Sequence, residues 1–104
     1  MIIIKLKTFI NRFTGHVYKI VPLKEYDTLG VGEDIHLSEY IDSVTIEATG
    51  ALTTFDKLAD NMDFITVVNI LNYLNENEVS EEVCKREVFK ALALLNKIGG
   101  ERHA

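Results

Sequence analysis

Tryptophan is absent, and proline and cysteine occur once each, as Pro22 and Cys84. A single proline excludes a Pro-rich linker. A single thiol excludes an internal disulfide, so a reducing compartment, the cytoplasm, is the expected setting. No apolar run approaches the roughly 20 residues of a membrane-spanning helix. The opening run Ile2-Ile3-Ile4 is cut by Lys5 and lacks the small-residue cleavage site of a secretory signal. Acids are missing from the first 24 positions, which carry Lys5, Lys7, Arg12, Lys19 and Lys24. Bases are nearly missing from residues 25–82, where fourteen acids face Lys57 alone. Residues 83–104 turn basic again, with Lys85, Arg86, Lys90, Lys97 and Arg102 against Glu87 and Glu101. The net charge of −5 thus conceals an acidic middle between two basic ends, the most unusual property of the chain.

What is present fits one globular domain. The 104 residues are 47% hydrophobic and 26% charged, too apolar for a disordered chain. Ile2 to Phe9 alternates apolar and polar residues and predicts a half-buried strand. Asn11 to Gly15 offers turn chemistry, and His16 to Leu23 predicts a second strand, forming an antiparallel hairpin with the first. Pro22 suits a strand end or edge. Lys24 to Asp34 reads as a loop; Ile35 to Ile41 and Val44 to Ala48 read as short strands, with a helical turn at 37–42 as the competing assignment. Thr54 is a candidate cap for a short helix over 55–60, Asp63 for a helix over 64–77 and Ser80 for a last helix that Gly99-Gly100 stops. The last helix has the apolar stripe Cys84, Val88, Ala91, Leu92, Leu95 and Ile98. The expectation is an α+β domain over 1–104: mainly strands over 1–50, mainly helices over 51–98, and a tail over 99–104. In it a small antiparallel sheet packs against a C-terminal helical hairpin.

Catalytic and cofactor patterns are weak. Gly30-Val31-Gly32 leads into Glu33 and Asp34, which repel phosphate, so no nucleotide loop is expected. Glu33, His36 and Glu39 would share a face only on a helix; on a strand His36 points away from both acids. Asp56, Asp60 and Asp63 lack the spacing of a calcium loop and read as caps and solvated surface. Cys84 lies on an apolar stripe, where a small buried residue is expected rather than a nucleophile. Neither a metal nor any other cofactor is expected, and an enzyme reading would need a pocket lined by residues such as Glu33, His36 and Cys84.

Two stretches resemble the ArdA antirestriction proteins, acidic DNA mimics carried by mobile elements. Ser43-Val44-Thr45-Ile46-Glu47 is similar to a strand and acidic turn of that family's small domains. Asp63-Phe64-Ile65-Thr66-Val67-Val68-Asn69-Ile70-Leu71 is similar to the helix start that follows, with Asn69 at its asparagine, and Glu76 to Glu82 resembles the acid-rich stretch beyond. The likeness spans about residues 40–82, needs a short insertion, and concerns a family of longer chains. It implies an acidic face that occupies the DNA groove of a restriction or related defence enzyme.

The charge pattern independently points to a partner with a basic surface, because a continuous negative field attracts one and speeds encounter. The candidate contacts are Glu25, Asp27, Glu33, Asp34, Glu39, Asp42, Glu47, Asp56, Asp60, Glu76, Glu78, Glu81 and Glu82. Direct nucleic-acid binding by the basic N-terminal segment is opposed by the net charge. The alternative is an oligomerising adaptor module of phage or plasmid type, forming a homodimer through exposed Tyr73, Ile65 and Phe89.

Overall fold

A computed structural model describes residues 5–29 and 36–100, and these form six α-helices with no strand. They are α1 (Leu6–Tyr18), α2 (Ile20–Leu29), α3 (Leu37–Thr54), α4 (Asp56–Ala59), α5 (Met62–Glu76) and α6 (Glu81–Gly100). The expected α+β class, its antiparallel sheet and its N-terminal hairpin are therefore corrected to an all-α fold among the described residues. Part of the first expected strand, Gly30 to Ile35 of the expected loop and third strand, and residues 101–104 of the expected tail lie outside those residues.

The physical reason lies in spacing longer than two. Phe9, Ile10, Phe13, Val17 and Ile20 are buried and recur at the three-to-four-residue interval of one helical face. Gly15, expected in a turn, sits instead within α1 on its exposed side. Pro22 falls in the first turn of α2, where its missing N–H is not needed. It has no N–H to give the Tyr18 carbonyl, and the chain breaks between α1 and α2 at Lys19. In α3 the buried set is Ile41, Val44, Thr45, Ala48 and Ala51, again a helical stripe, while Ile46 is exposed. Its threonines bond back to the preceding turn: Thr45 Oγ1 donates to the Ile41 carbonyl (2.7 Å) and Thr49 Oγ1 to the Thr45 carbonyl (2.9 Å).

The second half follows the sequence reading more closely. Ser80 Oγ accepts the Val83 N–H at 3.2 Å, and Glu81 and Glu82 occupy the first turn of α6, where the helix dipole favours acids. The cap of α5 is Asn61, whose side chain accepts the Phe64 N–H at 3.0 Å, and not Asp63. Asp63 lies in the first turn of α5 and pairs with Lys97 at 3.5 Å, tying the start of α5 to the end of α6, as an antiparallel helical hairpin requires. Thr54 ends α3 rather than capping α4; its hydroxyl donates to the Gly50 carbonyl at 3.1 Å. Gly99 and Gly100 are still helical, within α6.

The core is one cluster drawn from all the helices except the outer turns of α2. At its centre, the ring of Phe9 lies 5.3 Å from Phe13, 5.2 Å from Phe55 and 6.5 Å from Phe64, joining α1 to the α3–α4 link and α5. Among the described residues no helix is long and apolar enough to cross a membrane.

Gly15 and Gly50 are exposed, and a methyl group on either would meet nothing within 4 Å. Glycine costs a helix interior about 0.5–1 kcal/mol relative to alanine. Gly15→Ala and Gly50→Ala are each expected to stabilise the fold by that amount, raising the thermal midpoint by a few degrees in a circular-dichroism melt.

Candidate acidic end of the helical bundle

Three segments distant in sequence meet at one end of the molecule: the last turns of α2, the start of α3, and the α5–α6 connection. Asn75 Nδ2 donates to Asp42 Oδ1 at 3.2 Å, fixing the end of α5 against α3. Beside this contact lies a cavity of about 430 Å³ whose walls include Lys24, Asp27, His36, Glu76 and Glu78. Glu39 lies three residues before Asp42 on α3, and Glu81 and Glu82 open α6 a few residues beyond Glu78.

The expected contact residues divide into groups. Glu25, Asp27, Glu39, Asp42, Glu76, Glu78, Glu81 and Glu82 belong to the segments that form this end; all are exposed, and none is in an ion pair among the described residues. Asp56 and Asp60 are also exposed but lie at α4, beside the start of α5. The length of α5 separates them from Glu76 by about 20 Å. Glu47 is engaged elsewhere: its Oε1 lies 2.9 Å from His16 Nδ1, joining α3 to α1. Tyr40 Oη donates to the His16 carbonyl at 2.7 Å beside it. Glu33 and Asp34 lie outside the described residues.

Sequence reasoning did not place Lys24 in this wall, where it is the one lysine among the described residues, or foresee Asn75, whose amide holds Asp42 in place. Nothing in the spacing of Asp42 and Asn75 announces that contact, because it depends on how α3 and α5 pack.

The cavity also reaches His36 and Cys84, two of the residues that an enzyme reading called for. The thiol is poorly placed for chemistry. Cys84 is 1% exposed, and burial pushes its pKa above the ordinary value, with Glu81 adding to the rise and Lys24 opposing it. Fewer thiolates at neutral pH mean a weaker nucleophile. Cys84 is expected to resist a disulfide exchange reagent in native buffer and to react fully in denaturant; comparable rates in the two conditions would restore it as a candidate nucleophile. Among the described residues no three His, Cys, Asp or Glu side chains gather as metal ligands; His36 precedes α3 and Glu39 points to solvent.

No family model, curated protein or solved structure matches the chain. The functional reading rests on its own residues.

Proposed function

We propose that this is a non-catalytic acidic binding protein that presents the α2–α3–α5/α6 end to a basic protein surface. In its sharper form the carboxylates stand in for DNA phosphates, and the partner is a nucleic-acid-binding defence enzyme opposed by a protein from a mobile element. The observation that carries the reading is the gathering of eight exposed carboxylates, without ion pairs among the described residues, on segments that converge at one end. Carboxylates that satisfy one another's needs through lysines contribute little outside the molecule; unpaired ones keep their field for a partner. Their convergence depends on helix packing, so the field belongs to the folded state.

The test uses poly-lysine as a minimal basic surface and a DNA-cleaving restriction endonuclease for the sharper claim. Binding to poly-lysine should weaken steeply with added salt and fall when Glu76 and Glu78 are reversed to lysine. Inhibition of DNA cleavage by the wild-type chain, relieved in the same variant, supports phosphate mimicry. Unchanged poly-lysine binding after reversal removes the acidic end as the site.

A further inference from the structure

We infer that the opposite charge has its own surface: the outer side of α1 and the adjoining flank of α6 form a binding face for single-stranded nucleic acid. This does not rest on the function proposed for the acidic end. α1 and α6 pack together in opposite directions. A Cβ on Gly99, near the end of α6, would lie 3.5 Å from the Ile10 side chain near the start of α1, while Lys24, beyond α1, shares a cavity wall with Cys84 near the start of α6. At 100° per residue, Lys7, Asn11 and Tyr18 lie on the α6 side of α1, just outside Ile10. On α6 the same rotation sets Lys85, Phe89 and Asn96 on the side of Gly99, just outside the buried stripe of Cys84, Val88, Ala91 and Leu95. The two rims face each other across one seam. Tyr18 and Phe89 are 52% and 44% exposed.

The chemistry suits a strand of phosphates carrying unpaired bases. α1 contains no acid, and exposed Arg12 within it and Lys5 and Lys19 at its two caps extend the positive charge beyond the seam. None of Lys5, Lys7, Arg12, Lys19 or Lys85 has an ion-pair partner among the described residues. Exposed rings beside lysines accept stacked bases of any sequence while the cations track the backbone. The net charge of −5 opposes phosphate binding only if its field reaches the seam. Glu81 and Glu82 lie within about one turn of Lys85, so their field weakens that end of the seam; at Phe89, about 10 Å along the axis from them, it has fallen over roughly one screening length at physiological salt. Glu87 is closer, but it is 13% exposed and shared between Arg86 and Lys90. The acidic end of a second copy would also answer the lysines, but it gives Tyr18 and Phe89 no bases to stack on.

The experiment is fluorescence anisotropy with labelled oligo-dT, oligo-U and a DNA duplex of equal length, at 50 and 200 mM salt. One or both single strands should bind more tightly than the duplex, with affinity falling as salt rises. Preference between the two single strands identifies DNA or RNA as the natural ligand. Tyr18→Ala and Phe89→Ala should each weaken binding about tenfold with the helical spectrum unchanged. Lys7→Glu with Lys85→Glu should abolish it, and Glu76→Lys with Glu78→Lys should not weaken it. No binding at 50 mM salt overturns the inference. So does equal affinity for the duplex with no effect of the ring substitutions, which signifies general attraction to phosphate. Salt-sensitive self-association lost on Lys7→Glu, without oligonucleotide binding, assigns the face to a second copy and overturns it as well.

Discussion

Phe64→Ala should destabilise the protein by about 3–5 kcal/mol. The side chain is 0% exposed, with the ring of Phe13 centred 5.9 Å away and that of Phe9 at 6.5 Å. Truncation removes the apolar area of a whole ring and leaves a void between α1 and α5 that neighbouring rings fill only in part. Phe9 and Phe13 are stacked at 14° in the same cluster; Phe9 would lose an edge-on contact with Phe64, and Phe13 a tilted one. A domain of this size has roughly 5–15 kcal/mol in all, so the variant should sit near the limit of folding. Urea unfolding followed by circular dichroism reads the effect as a lower midpoint with an unchanged slope. Phe89→Ala supplies the contrast, since its ring is 44% exposed and its loss should cost well under half as much. A deficit below about 1 kcal/mol for Phe64→Ala would mean that the aromatic cluster does not hold the helices together.

The same cluster explains which parts of the fold were legible. α5 and α6 have uninterrupted apolar stripes, and Ser80 and the two acids after it mark a helix start in the sequence itself. α1 is obscured by the apolar run that precedes it, by Gly15 on its exposed side and by Pro22 just after it. Each of those residues is compatible with a strand or turn when read locally. Their helical placement follows from burying Phe9, Phe13, Val17 and Ile20 together, a demand made by α5 and α6 rather than by neighbours in sequence. The β-branched content of α3 misled for a related reason. Val44 and Thr45 suit a sheet in isolation, but Thr45 is buried with its hydroxyl bonded to Ile41, and its helical stripe packs against α5. The acidic middle was plain from composition, whereas its division was not. Asp27, Asp42, Glu76 and Glu78 are up to 51 positions apart and meet only because α3 and α5 pack together and α2 closes on the same end. Asp56 and Asp60 belong to the same charged block and are carried to the other end by the turn through α4.

That division permits a comparison in which total charge is held constant. Reversing Glu76 and Glu78 to lysine changes the net charge from −5 to −1, and so does reversing Asp56 and Asp60. A protein that attracts basic partners by net charge alone should lose the same affinity in both variants. If the acidic end is the site, the first pair should cost on the order of 2–4 kcal/mol, roughly 30- to 1,000-fold, because each reversal replaces a close attraction by a repulsion at about 1 kcal/mol apiece in water. The second pair, about 20 Å away, lies two to three screening lengths off at physiological salt and should change affinity less than about twofold. Lowering the salt should narrow the gap by letting the distant charges be felt, so the ratio between the variants should itself depend on ionic strength. Titration of each variant against poly-lysine at 50 and 150 mM salt measures that ratio. Equal losses at 150 mM would leave a diffuse negative charge with no directed surface.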